Sequence, residues 1–469
     1  MKGKPDVREV PAGLREIVVA AVHRCLASRV FLQDALAREF ERTVFPSRLR
    51  GAAADLASSV VRRLLTLDHL LALSSDTPLR KLEPLLLDVL RAGACELLFA
   101  ESVPTHASVS EYVNLARRLV RPQSASFANA VLRRLLRTVE KTVRIRGRFR
   151  PSATDLLIRR DLVLRFRREV FPRPDADLPA NLEAAFGVPR WLVERWLVRF
   201  GRADALRILE ASDSRPPVTV RVNTLKTTDV ALRAVFAEAD VRTASGGVDH
   251  SLRILSPVEL SALPSFAAGE FYIQDVSAMH APVALGPRRK EKILDLCAAP
   301  GGKTTHLAQL AHDRAEVFAL DASPSGLALV EENAKRLGIR SIRTAVGDAR
   351  RISDAMKRRF DAVLADVPCS NTGVLRRRVE ARHRLAPDVF ALLAVVQADI
   401  LRTALAAARP GGRVVYSTCS IEPEENDLLV RSILREFPDW SIDAEETFLP
   451  RADGPDGAYV ARLVHRRSL

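Results

Sequence analysis

The chain is short of cysteine, of acid and of long apolar runs. Five cysteines, at 25, 95, 297, 369 and 419, are an odd number with no C-x-x-C pair and no zinc-ligand spacing. That spacing supports neither a disulfide framework nor a metal site, and it points to free thiols in a reducing, cytoplasmic compartment. No apolar run is long enough to span a bilayer, and the opening MKGKPDVREVPAG lacks the apolar core of a signal peptide, so no membrane partner is expected. Acid is outnumbered: 57 Asp and Glu face 72 Lys and Arg, giving a net charge of +15 and a pI near 10.2. Such an excess favours a polyanionic partner, most simply a nucleic acid. What is present in quantity is apolar residue, 47% of 469, enough for the cores of two or three domains.

The stretch ILDLCAAPGGKTT, residues 293–305, organises the rest. Ile293, Leu294 and Leu296 read as a buried strand that stops at a turn of Ala, Pro and Gly. Leu307, Ala308, Leu310 and Ala311 then recur at helical spacing. Strand, tight turn and helix form the nucleotide-binding arrangement of doubly wound α/β folds, because glycine lets a ligand approach the backbone and the helix start offers unpaired N–H groups. A Walker A loop fails: its first glycine falls on Cys297, and Pro300 has no N–H to give a phosphate. A G-x-G-x-x-G fingerprint fails as well, because the glycines are adjacent, Gly301 and Gly302.

Residues 7–140 read as helical, with Leu14, Ile17, Val18, Ala21, Val22 and Cys25 making one apolar stripe. Further helical stretches end near residue 139, and no alternating strand pattern interrupts them. Residues 133–150 then carry eight Lys or Arg against one Glu, either a solvated helix end with a linker or a strip that grips phosphates. In GVPRWLVERWLVRFG, Trp191 and Trp196 sit at helical spacing and read as core. Residues 216–280 alternate like short strands in PVTVRVNTLK, SLRIL and EFYIQD, with the helix VALRAVFAEA among them. From Glu291 onward strands and helices alternate, which implies a parallel sheet covered on both faces. The expected domains are 1–145, 146–285 and 286–469.

The polar residues of interest fall at strand ends, where ligands of such sheets bind. Asp321 lies about 20 residues past the glycine turn, placed for ribose hydroxyls. Asp348 ends the third strand, placed for an adenine amino group; the plain alternative for each acid is a helix cap. Cys369 in DVPCS and Cys419 in STCS each end a strand and each precede a serine. A thiolate is a strong carbon nucleophile once its pKa of about 8.5 is lowered. Added to C6 of a cytosine, it would turn the unreactive C5 into an enamine-like carbon able to attack an electrophilic methyl group.

Together LCAAPGGKT, DVPCS and STCS with EPEEN resemble the RNA cytosine-5 methyltransferases that use S-adenosylmethionine. THASVSEYVNLAR and SFANAVLRRLLR resemble the RNA-binding factor NusB. RVNTLK, IQDVSA and DGPDGAYVARLVHR are similar to one branch, the RsmB-like 16S ribosomal RNA enzymes. The resemblance implies a Rossmann-like methyltransferase core of α/β class, preceded by an all-α NusB-like domain and a small α/β linking subdomain. It implies Cys419 as nucleophile, Cys369 as the thiol that helps release product, and Asp366 as the acid contacting the cytosine ring. Lys303 joins these in the catalytic set. Cys297, Ala298, Ala299, Pro300, Gly301, Gly302, Lys303, Asp321, Asp348 and Asp366 would hold S-adenosylmethionine. The expected substrate is 16S ribosomal RNA and the expected state a monomer; methylation of transfer RNA, or a non-catalytic assembly role, are the alternatives. One departure stands out: where the branch often shows an RHPD-like segment, this chain has Arg377-Arg378-Val379-Glu380.

Overall fold

The computed structural model describes residues 13–100 and 103–466. The opening stretch weighed as a signal peptide, and the start of the ESVPTHAS loop, lie outside the described residues. The chain forms two compact units. One takes Met1–Ser214 with Leu375–Arg384, and the other takes Arg215–Val374 with Leu385–Leu469.

The first unit begins with seven helices: α1 (Leu14–Ala27), α2 (Leu32–Arg42), α3 (Ser47–Arg62), α4 (Leu64–Ala72), α5 (Pro84–Phe99), α6 (Thr105–Leu119) and α7 (Ser124–Thr138). The stripe on α1 is buried as its spacing demands, through Ile17, Val18, Ala21, Val22 and Cys25. On α5, the buried Glu96 receives Arg15, the Ser108 hydroxyl and the Tyr112 hydroxyl, so its charge is fully partnered.

Residues 139–166 differ from their sequence reading as helix end and linker. They fold as an antiparallel sheet of β1 (Val139–Arg144), β2 (Asp155–Arg159) and β3 (Leu162–Phe166), in the order β1-β3-β2. The reason is local. Leu162, Val163, Leu164 and Phe166 are buried in near-continuous succession, which hides the alternation that normally betrays a strand. Two helices complete the unit, α8 (Leu178–Phe186) and α9 (Arg190–Asp213), the latter broken at Gly201 where φ is 71°. Trp196 is fully buried. The departing segment belongs here too: Val379 joins the helical core, and the buried Arg382 donates to the carbonyls of Arg62, Phe186 and Ser212. The guanidinium therefore meets backbone oxygens of this unit, which is why so charged a segment can be buried.

The second unit opens with β4 (Val218–Val222), α10 (Asp229–Glu238), β5 (Thr243–Ser245), β6 (Ser251–Ile254), α11 (Pro264–Ala267) and β7 (Phe271–Ile273). Its four strands pair antiparallel in the order β5-β6-β4-β7. Then come α12 (Val276–Leu285), β8 (Lys292–Asp295), α13 (Gly302–Leu310), β9 (Glu316–Asp321), α14 (Pro324–Leu337), β10 (Ile342–Val346) and β11 (Phe360–Asp366). The chain ends with α15 (Val389–Ala407), β12 (Ala408–Thr418), α16 (Asp427–Leu434), β13 (Trp440–Phe448) and β14 (Ala458–His465).

These last strands make one seven-stranded sheet, β10-β9-β8-β11-β12-β14-β13, parallel as far as β12 and antiparallel beyond it. The strand order reverses between β8 and β11, which opens a crevice at their carboxyl ends. By length and composition alone α15 could cross a membrane, which corrects the reading that no apolar run is long enough. In the fold it covers the sheet, burying Phe390, Gln397, Ile400, Leu401 and Leu405.

Candidate active site

The turn between β8 and α13 is shaped by its small residues. Ala299-Pro300 is a cis peptide, and Gly301 takes φ 100°, a left-handed conformation that side chains avoid. A Cβ on Gly301 would stand 3.0 Å from the Val330 Cα, so space and backbone both require glycine. Asp321, at the end of β9, accepts the Ala299 N–H at 2.9 Å and the Ser323 N–H at 2.9 Å. The cap of α14 is Ser323, so Asp321 pins the turn instead of capping that helix.

Across the crevice, Lys303 reaches from the first turn of α13 to Asp366 at the end of β11, with Nζ 2.6 Å from Oδ2. The other oxygen of Asp366 accepts the Ser417 hydroxyl at 2.7 Å. Burial alone would lower the Lys303 ammonium, but the Asp366 carboxylate outweighs it, and Cys419 and Asp295 add to the effect. Its pKa therefore lies above the ordinary value and the charge is retained.

Cys419 follows directly on β12, and Cys369 lies three residues past β11. Their sulfurs are 3.0 Å apart. The hydrogen bond with Cys419, followed by burial, pushes Cys369 well above the usual thiol range. The contact and the burial thus favour the protonated form of Cys369. Asn371 spans both: its Oδ1 accepts the Cys419 thiol at 3.2 Å, and its Nδ2 donates to the Cys369 carbonyl at 2.9 Å. Asn tolerates the φ of 63° that this bridge requires.

The structure thus brings Lys303, Asp366, Cys369, Cys419, Asp321 and the 297–302 turn to one end of the sheet. Asp348 stands apart from the direct bonds of this cluster. Arg350 grips its carboxylate by side chain and backbone and lowers its pKa to about 2. Cys297 is half-buried in the turn, and loss of water around it, with four nearby acids, raises its thiol well above the ordinary value. It stays a protonated, packed thiol.

Three residues escaped the sequence reading. Asn371 had as its signal only a place two beyond a cysteine. Arg221 lay in RVNTLK without an assigned role. Asp295 looked like the last residue of a strand. It is fully buried; its Oδ2 accepts the Thr304 hydroxyl at 2.7 Å, and its Oδ1 has no hydrogen-bond partner among the described residues. Burial is the main cause that raises its pKa to about 7; Thr304 opposes the shift and Asp366 adds to it.

Comparison with known proteins follows the same lines. The profile of the 16S rRNA methyltransferase RsmB/F family matches residues 282–464, that of the NusB family residues 13–137, and that of the Methyltr_RsmF/B-like ferredoxin-like domain residues 188–261. Ribosomal RNA small subunit methyltransferase B of Salmonella typhi is 32% identical, over 88% of this chain and 90% of the relative. The chain belongs to the RsmB family. It is an RNA methyltransferase, and S-adenosylmethionine is its cofactor. A probable ribosomal RNA small subunit methyltransferase B of Bacillus subtilis is 29% identical over 92% of the chain and 90% of the relative.

Among solved structures, a methyltransferase homolog protein from Pyrococcus horikoshii covers 62% of this RsmB-family chain and 99% of its own, at 26% identity and a TM-score of 0.56. PH0851 shares the fold across 97% of this chain and 100% of its own, at 22% identity and a TM-score of 0.76. The residues fit the cofactor. Asp321 spends one acceptor site on the turn, at Ala299, and one on the Ser323 N–H, and keeps acceptor capacity that hydroxyls of a bound cofactor would use. The orphaned Asp295 oxygen beside the turn is an acceptor that a ligand's donors, or a bound water, would satisfy.

Proposed function

We propose that the protein methylates C5 of a cytosine in 16S ribosomal RNA, through a covalent bond between Cys419 and C6. The observation that carries this reading is the pair of thiols 3.0 Å apart beside the Lys303–Asp366 ion pair. The turn 297–303, Asp321, Asp348 and Asp366 would hold S-adenosylmethionine, which would supply an electrophilic methyl group at this end of the sheet. Cys419 loses its proton to solvent, and its sulfur bonds to C6. Electron density then leaves the C5–C6 double bond and collects at N3, where Asp366, fixed by Lys303 and Ser417, contacts the ring and the Lys303 ammonium of the pair offsets the charge. C5 becomes nucleophilic and bonds to the methyl carbon, whose bond to the cofactor's sulfur would break with its electron pair left on that sulfur.

Release needs the C5 proton removed and the C6–S bond broken. Cys369 gives its proton to the departing Cys419 sulfur and takes one from C5, so it ends as it began. The target base must leave its stack to reach either thiol, so an unpaired or flipped cytosine is the substrate. The first unit grips the RNA backbone with exposed arginines, Arg146, Arg148 and Arg150 among them. The protein acts as a monomer in the cytoplasm.

The test is a denaturing gel of each cysteine variant with labelled ribosomal RNA and S-adenosylmethionine, together with bisulfite mapping of the product. Cys419→Ser should give neither methylation nor covalent complex, because a serine hydroxyl is a far weaker nucleophile. Cys369→Ser should stall with RNA attached. An adduct with Cys419→Ser and none with Cys369→Ser would reverse the roles, and methylation confined to transfer RNA transcripts would overturn the substrate.

A further inference from the structure

Each cysteine of the pair is followed by a serine, and each serine is buried. The hydroxyls of Ser370 and Ser420 are 3.1 Å apart, and both donate to one oxygen of Glu425, Oε2. The other oxygen, Oε1, accepts the Ser370 N–H at 2.8 Å and Gln397 Nε2 at 2.9 Å. Four donors thus fill the four acceptor sites of a carboxylate that is wholly buried. Glu425 lies in the EPEEN stretch, past the end of β12, and the reaction described above gives it no part. It ties the loop of one thiol to the loop of the other.

The two thiols do not depend on this tie equally. Cys419 adjoins β12, which is paired on both sides, Ser417 with Asp366 and Thr418 with Tyr459. Asn426 adds a second anchor, holding the Thr418 hydroxyl at 2.6 Å and the Ser420 carbonyl at 3.0 Å. Cys369 stands beyond the end of β11, with no ladder around it. Its neighbours on either side are held through Glu425 and Gln397: Ser370 by its N–H and hydroxyl, and Pro368 by the Gln397 amide on its carbonyl at 2.9 Å. Without the carboxylate, Cys369 should be the thiol that moves.

We propose that Glu425 is a positioning residue for Cys369, so that its loss impairs product release while attack by Cys419 continues. The proposal rests on the two-thiol reading above. Glutamine at this position keeps an acceptor for the two N–H groups, and the serine hydroxyls can turn to accept from its amide. Alanine removes the acceptor that all four share: the Ser370 N–H loses its partner, and the two hydroxyls and the Gln397 amide keep only their contacts with each other, Thr372 and Pro368.

Single-turnover reactions of the full chain with labelled ribosomal RNA separate adduct formation from release. Glu425→Ala should form adduct at close to the rate of the unaltered enzyme and release product about tenfold more slowly or worse, the equivalent of one hydrogen bond's placement. Covalent RNA should then accumulate, and Glu425→Gln should restore release. Equal slowing of attack and release, or no effect on either, would overturn the proposal. If Glu425→Ala does not fold, Ser370→Ala and Ser420→Ala decide: accumulation should follow the first more than the second, and equality or the reverse refutes the idea. Cys369→Ser is the control. If it traps RNA while Glu425→Ala does not, only the Glu425 proposal fails; if it traps nothing, the covalent reading fails and takes the proposal with it.

Discussion

Arg221 gives the sharpest stability test of how the small antiparallel sheet supports the turn into α13. It projects from β4, and its guanidinium is buried. Nε donates to Gln309 Oε1 at 3.1 Å and Nη2 to the Thr305 hydroxyl at 2.9 Å. From the other side of the fork, Nη1 donates to the Gly302 carbonyl at 2.7 Å and to the Gln274 side chain. The Tyr272 ring lies 5.2 Å away. Burial lowers the pKa of Arg221 to about 9, so the charge is held at a cost that only these bonds offset. Arg221→Lys keeps a cation but replaces a planar fork with a point donor. An ammonium cannot serve both sides, so two acceptors go without their donor, at about 1.5–3 kcal/mol each for bonds to a charged group. The expected loss is roughly 3–6 kcal/mol, or on the order of 10 °C in Tm for a unit of this size. Because Gly302 and Thr305 open α13, affinity for S-adenosylmethionine should fall as well. Thermal unfolding and calorimetric titration measure both. A Tm within about 2 °C of the unaltered protein, with unchanged cofactor affinity, would refute the reasoning.

Two further outcomes follow from the same geometry. Asp295 titrates at about 7 in the fold, above the ordinary value near 3.9, so its contribution to stability is complete below about pH 4 and is lost as pH rises to about 7. Asp295→Asn should flatten that part of the stability curve, and parallel curves from pH 4 to 8 would count against it. In the β1–β2 loop, neutralising Arg146, Arg148 and Arg150 should weaken RNA binding and flatten its salt dependence, by a slope of about 1 for each phosphate no longer gripped. An unchanged slope would leave the stretch as a solvated loop.

Much of the catalytic unit is legible in the chain because its signals are local. Ile293 and Leu294 make a strand by burial, Gly301 makes a turn by its φ, and α13 begins where the turn ends, all within a dozen residues. The β1–β3–β2 sheet was not legible. Its strands gain their hydrogen bonds only from each other, and β3 carries an apolar run that a helix could equally bury. β13 and β14 were hidden for a related reason: β13 exposes five of its nine residues, so charge obscures its pattern.

By itself the sequence determined the residue types that the chemistry needs and their order: a glycine turn, acids past strand ends, and two cysteines each before a serine. Those are properties of short segments, and neighbours along the chain suffice to set them. Only the tertiary structure decided which groups meet. Lys303 and Asp366 are 63 residues apart in the chain, and Cys369 and Cys419 are 50 apart. The parallel sheet brings each pair together because its strand order reverses between β8 and β11 and sets β12 beside β11. It also decided that Arg377-Arg378-Val379-Glu380 lies in the first unit, since the buried guanidinium of the neighbouring Arg382 needs backbone carbonyls that only the folded helices present.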